Sequence, residues 1–214
     1  MNFLVIDFET TGLNKDSNNG YKPYPKEVAP LPRANFPVEV AAALVGPDGV
    51  VKDKVVLFIR GAQRFAPWVL ENCSHLSVKE CERSGVDFPD MLRALRNLAG
   101  DGDCTIVAHN IVYDWDEVIE YTARDLGLLE DPAFLHLRQM PRWCTMVNPL
   151  TKQDRSAYYW PKIGKWIGPK LGALCRKHGV AYDEASAHEA MYDVTAPAGC
   201  LIRQKNMAPP VAAP

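Results

Sequence analysis

The first hydrophobic run, Phe3-Leu-Val-Ile-Asp7-Phe-Glu9-Thr-Thr-Gly12, constrains the fold more than any other stretch. It is short, apolar and stopped by turn-forming residues, as expected for a buried strand over Asn2–Phe8. Side chains two apart on a strand share a face. Asp7 and Glu9 therefore project side by side next to a buried segment. Adjacent anions repel and resist desolvation, and a divalent cation with oxygen ligands relieves both costs. The pair alone admits two readings, a cation site or a strand end carrying two solvated acids.

The rest of the chain shows a hairpin followed by strand–helix alternation. Val38–Val45 and Val50–Ile59 flank Gly46-Pro-Asp-Gly49, a hairpin signal. Ser77-Val-Lys-Glu80 matches a capping box that opens a short helix. Met91, Leu92, Leu95 and Leu98 form the apolar stripe of a second helix, with Asp87 as its cap and Gly100 as its stop. Thr105–Ala108 reads as a strand. A helix follows, with Ile111, Trp115, Val118, Ile119, Thr122 and Leu126 facing inward and Gly127 ending it. Arg142–Val147 reads as a short strand, Leu171–His178 as a helix, and Glu189–Leu201 as a last helix that Pro197 kinks or shortens. This order predicts a mixed α/β fold, a central sheet with helices on both faces. It fits one domain over residues 1–205, with a Pro/Ala-rich tail at 206–214 expected to be disordered. The long stretch from Asn14 to Asn35, rich in Asn, Pro, Lys and Gly, reads as a surface loop with a lid or partner role.

The net charge of −2 provides no global field for nucleic acid, so a polyanion must be met by a local patch or by ions. Between Arg138 and His178 the chain places nine Lys or Arg against one acid, Asp154. Tyr158, Tyr159, Trp160 and Trp166 interleave with these cations, the ingredients of single-strand binding, whereas Trp143 reads as core. The six cysteines contain no C-x-x-C pair, so a zinc knuckle is not expected and a reduced, intracellular (cytoplasmic) setting is. No apolar stretch suits a membrane span, and no G-x-x-x-x-G-K-[ST] phosphate loop occurs.

Three clusters carry candidate chemistry: Asp7 with Glu9; Val107-Ala-His-Asn110-Ile-Val-Tyr-Asp114, where a strand turns into a helix; and His188-Glu-Ala-Met-Tyr-Asp193. Together they resemble the three motifs of the DEDD exonuclease superfamily, histidine subtype: Asp-x-Glu-Thr-Thr-Gly-Leu, His-Asn-x-x-x-Asp and His-x-x-x-x-Asp. That family includes proofreading subunits, oligoribonucleases and three-prime repair exonucleases. The resemblance spans nearly the whole chain and implies a ribonuclease H-like fold. It implies that Asp7, Glu9, Asp114 and Asp193 bind two Mg²⁺ or Mn²⁺ ions and that His188 is the general base. It further implies a 3′→5′ exonuclease releasing nucleoside 5′-monophosphates from single-stranded DNA, with a polymerase or another replication or repair protein as partner. Trimming of RNA, and nucleic-acid binding without catalysis on the same fold, are the alternatives.

On the substrate side the resemblance points to Thr10, Thr11, Gly12, Leu13, Ser74, His109 and Asn110. His109 also reads as a positioning residue and Asn110 as a helix cap. At Ser74-His-Leu-Ser77 the chain departs from the family, with His75 where a glycine is usual. Asp116 rivals Asp114, since residues two apart on a helix face directions ~200° apart. The family spacing selects Asp114. Residues five apart lie ~140° from each other, so His188 is expected before the helix that carries Asp193.

Overall fold

In the computed structural model, which describes residues 1–12, 35–62, 65–73, 75–162, 164–183 and 190–207, the alternation of the first strand organises everything else. Strand β1 (Asn2–Thr10) is flanked by β2 (Pro37–Val45), and β2 by β3 (Val51–Phe58), both pairs antiparallel. Strand β4 (Cys104–Ala108) lies parallel to β1 on its other side, and β5 (Arg142–Cys144) parallel to β4. The result is a five-stranded mixed sheet in the order β3-β2-β1-β4-β5. The expected hairpin is present, and its outer strand β3 carries exposed Lys52, Asp53 and Lys54, charges that protect a sheet edge.

Three short or medium helices follow the hairpin: α1 (Pro67–Asn72), α2 (Val78–Ser84) and α3 (Phe88–Ala99). After β4 the chain enters a π-helix (Val112–Glu120) that runs into α4 (Tyr121–Asp125). Then come α5 (Pro132–Gln139), β5, α6 (Pro149–Gln153), a two-stranded ribbon of β6 (Tyr158–Trp160) and β7 (Lys165–Ile167), α7 (Leu171–His178) and α8 (Ala190–Met207).

The two faces of β1 go to two cores. Leu4, Ile6 and Phe8 pack with Met91, Leu92 and Leu95 of α3, with Trp115, Val118 and Ile119 of the π-helix, and with Phe134 and Leu137 of α5. Phe3 and Val5 point the other way, against Val194, Ala198 and Leu201 of α8. Burying one such large apolar side chain stabilises the fold by roughly 1.5–3 kcal/mol. Asp7 and Glu9 continue the second set. The alternation that builds the core thus aims both carboxylates toward α8.

Several expectations need correction. Asp87 does not cap α3 through its side chain; it pairs with Arg60 at 3.0 Å. Ser77 does cap α2, accepting from the Glu80 N–H at 3.1 Å, while the Glu80 carboxylate turns to Arg83 and Ser84. Leu126 is 50% exposed; it lies past the end of α4, next to Gly127 at φ 69°. The strand expected over Arg142–Val147 is only Arg142–Cys144, after which the Asn148 side chain turns the chain by capping α6. Pro197 does not shorten α8, which runs through Met207 and takes in two residues expected in a disordered tail. Asn35, expected on a surface loop, is fully buried and donates from Nδ2 to the Glu117 carbonyl at 2.9 Å. Residues 13–34 and 208–214 lie outside the described residues.

Candidate metal centre

The site forms where the C-terminal ends of the parallel strands β1 and β4 meet the start of α8. One carboxylate oxygen from each of Asp7, Glu9 and Asp193 lies within 4.8 Å of the others. Residues 186 apart in sequence are thereby brought to one point. Glu9 and Asp193 are buried and Asp7 is partly exposed. Asp114 comes from the π-helix that β4 feeds. Its Oδ1 accepts from the Phe8 backbone N–H at 3.3 Å, between the two acids of β1. Of the two rivals, Asp114 is buried at the strand end, outside the 4.8 Å group, and Asp116 is exposed. The i→i+5 turn of this segment was not expected; such turns are rare and occur mostly near functional sites.

The electrostatics are those of carboxylates crowded together away from water. Burial, then Asp114, Glu9, Asp193 and Glu39, push the Asp7 carboxyl well above its usual range. Burial raises Glu9 to about 8, opposed by the Cys73 thiol, which donates to Glu9 Oε2 at 3.5 Å. Burial also raises Asp114 to about 7, against the hydrogen bond from Phe8. The four described neighbours that raise Asp7 most, Asp114, Glu9, Asp193 and Glu39, are all acids. An all-carboxylate set of this kind fits a hard divalent cation, which would relieve the repulsion and the desolvation together.

The residues around the acids are joined by hydrogen bonds. Tyr182 donates its hydroxyl to Asp193 Oδ1 at 3.1 Å, which orients that carboxylate. Thr10 Oγ1 donates to the Gly12 carbonyl at 2.9 Å and receives the Tyr113 hydroxyl at 2.7 Å. Thr11 exchanges backbone and side-chain bonds with Phe36. Both threonines are buried, and they tie the β1 terminus to the π-helix and to Phe36, the residue before β2. His109 bridges two loops, Nδ1 to Thr145 Oγ1 and Nε2 to the Pro169 carbonyl, both at 3.1 Å. Burial lowers its pKa to about 4, so it stays neutral. Both ring nitrogens are thus engaged within the protein. Asn110 is exposed and accepts through its backbone carbonyl from Tyr113 and Asp114, not through a capping side chain. Leu13, Ser74 and His188 lie outside the described residues.

Sequence reasoning missed Tyr113, Tyr182, Cys73 and Glu39. Glu39 stands opposite Glu9 in the β1–β2 register, and His75 holds it through Nε2 at 2.9 Å. Its Pro37-Val-Glu39-Val context was visible, but the pairing that sets it beside Glu9 was not. Tyr113 had one usable signal, its place next to Asp114. Trp143, as expected, leans on the core and donates Nε1 to Gln204 Oε1 at 3.4 Å.

No protein-family model matches the chain. A curated relative, the PolC-type DNA polymerase III of Ureaplasma parvum serovar 3, is 24% identical over 210 residues, which is 95% of this chain and 11% of the relative. Among solved structures, one of exonuclease I, described as suggesting how processivity is achieved, superposes with a TM-score of 0.67 at 18% identity. It covers 96% of this chain and 41% of that chain. E. coli exonuclease I in complex with a dA16 oligonucleotide gives 0.65 at 20% identity, with 96% and 41% covered. The chain therefore spans about a ninth of the polymerase and about two fifths of the exonuclease chains. The ribonuclease H-like fold expected from the DEDD resemblance is the fold it shares with exonuclease I.

Proposed function

We propose that the chain is a metal-dependent 3′→5′ exonuclease of the DEDD type, acting on single-stranded DNA and releasing nucleoside 5′-monophosphates. One observation carries this reading: carboxylates of Asp7, Glu9 and Asp193, distant in sequence, converge within 4.8 Å on an exonuclease I fold. Asp7, Glu9, Asp114 and Asp193 are the residues that would hold two Mg²⁺ or Mn²⁺. Such ions, when bound, lower the pKa of a coordinated water and neutralise charge on the phosphate.

The chain's own residues do the rest. The acids are pre-placed by the sheet and by Tyr182, so little reorganisation accompanies binding. His188, five residues before Asp193, takes the proton of the attacking water in its neutral form as the bond from phosphorus to the 3′ oxygen breaks. We assign the substrate side to Thr10, Thr11, Gly12, Leu13, Ser74 and Asn110, as the resemblance to the DEDD exonucleases implies.

DNA is favoured over RNA because the solved neighbours include exonuclease I bound to dA16 and dT13 oligonucleotides. Another neighbour is an ExoI/SSB-Ct complex and the curated relative is a polymerase, which supports a replication or repair protein as partner. Among the described residues no helix is long and apolar enough to cross a membrane.

The test is end-labelled DNA and RNA of matched sequence, incubated with Mg²⁺ or Mn²⁺. A mononucleotide ladder on single-stranded DNA, absent with chelator and in Asp7→Ala, is expected. A ladder on RNA alone would transfer the reading to an exoribonuclease. Binding with no metal-dependent release would leave a nucleic-acid-binding protein.

A further inference from the structure

The β6–β7 ribbon leaves its aromatic side chains in water. Tyr158, Tyr159, Trp160 and Trp166 are 55%, 49%, 44% and 40% exposed. Exposed apolar surface gathered in one place marks an interaction site more often than scattered residues do. A two-stranded ribbon is marginal on its own, yet this one is fastened at both ends. At its entrance Ala157 is buried and donates its N–H to the Thr151 carbonyl at 2.8 Å, after a turn in which Arg155 adopts φ 60°. At its exit Pro169 accepts from His109, and a Cβ on Gly168 would collide with Met146. The ribbon is thus fixed to the segment that leads from β4 to Asp114.

The register divides its residues between two faces. Tyr159 and Trp166 oppose each other and pack edge to face at 5.9 Å, with the Lys152 ammonium 4.6 Å over the Trp166 ring. Tyr158 and Trp160 lie on the other face, where Lys165 stands opposite Trp160. Lys165 on this face is near enough to Glu117 of the π-helix to oppose the burial-driven rise of its carboxyl. Lys162 sits in the turn, and the acid of the region, Asp154, is held by Lys177 at 2.7 Å. The ribbon offers cations and ring faces together, which complements a polyanion with exposed bases.

We propose that the β6–β7 ribbon is a stacking platform for single-stranded DNA upstream of the scissile end. Tyr158 and Trp160 receive bases, and Lys162 and Lys165 receive the phosphates between them. This deepens the exonuclease reading and rests on it for the direction of the strand. The platform lets a long substrate bind better than a short one, because a dinucleotide does not reach it.

The test uses the full chain, the double variants Tyr158→Ala with Trp160→Ala and Lys162→Gln with Lys165→Gln, and two substrates. One is an oligodeoxythymidylate of about 20 nucleotides, the other a thymidine dinucleotide. In the aromatic variant the ratio of kcat/KM for the long over the short substrate should fall roughly 5- to 150-fold for each base stack lost. Fluorescence anisotropy of the labelled oligonucleotide in Ca²⁺ should show a matching loss of affinity. In the lysine variant the slope of log K against log[salt] should shrink by about 1.4, or 0.7 for each phosphate contact on a single strand. This second readout stands if the aromatic variant fails to fold. An unchanged ratio, affinity and salt slope overturn the platform while leaving the exonuclease intact, as does an equal loss on both substrates. If the parent cuts neither substrate but the variants still lose affinity, the platform stands and the nuclease reading falls.

Discussion

Replacing Glu9 by Gln should make the cation-free protein more stable, and by an amount that grows with pH. Glu9 sits among acids with its carboxyl raised from 4.5 to about 8. Between those values the folded chain holds a proton that the unfolded chain has released. Stability therefore falls as pH climbs from 4.5 to about 8, and above 8 the whole cost is present. At about 1.4 kcal/mol for each tenfold change in proton affinity, the interval corresponds to about 5 kcal/mol. Gln keeps the shape and an oxygen for the Cys73 thiol, and it removes the charge.

For a chain of this size a gain of that order raises Tm by about 10 °C or more. The assay is thermal unfolding of parent and Glu9→Gln in chelator, at about pH 4.5 and about pH 9. The two proteins should melt together at the lower pH and diverge at the higher one. Added Mn²⁺ should then raise the parent's Tm more than the variant's. A variant that melts at or below the parent at high pH in chelator would show that Glu9 is not held against its charge, and the electrostatic case for a cation site would go with it.

Asp114→Asn should reduce metal-dependent nucleotide release by about a thousandfold or more, whereas Asp116→Asn stays within a few-fold of the parent, as measured on labelled oligonucleotide. Divalent-ion affinity, followed by calorimetry, should tighten about tenfold per pH unit for each proton displaced from about pH 6 to 8, because Asp114 at about 7 and Glu9 at about 8 must lose protons to bind; calorimetric proton release should rise toward the acidic end. Trp115→Ala removes a fully buried ring that stacks on Phe134 at 6.2 Å, and should cost about 3–5 kcal/mol in urea unfolding. His109→Ala leaves Thr145 and Pro169 without their bridge, so it should lower kcat/KM on the long oligonucleotide more than on a dinucleotide.

The parts of the fold legible in the sequence are those written in local period or local turn chemistry. The run ending at Asp7-Phe-Glu9, the Gly46–Gly49 hairpin and the helix stopped by Gly179 belong here. Helices α1 and α6, at six and five residues, are too short for any period to show. Helix α5 carries a local start signal, Asp131 followed by Pro132, and Asp131 accepts from Ala133 and Phe134, but its eight residues show little period. The π-helix has no local signature. The site shows the same divide. Asp7, Glu9, Asp114 and Asp193 stand at readable spacings, but Tyr113 on Thr10 and His75 on Glu39 join residues 103 and 36 positions apart. Contacts at that range follow from the assembled sheet and leave no trace in either neighbourhood.

In β1 the odd positions run Phe3, Val5, Asp7, Glu9 and the even ones Leu4, Ile6, Phe8. Inserting or deleting a single residue ahead of Asp7 would exchange the two sets, driving anions into the lipid-like interior and turning phenylalanine toward the acids of α8. The strand cannot slide into a folded but inert alternative, because one parity governs both solubility of the chain and the competence of its pocket. Drift in this segment is therefore confined to swaps that respect odd and even, while length changes are left to the turns on either side.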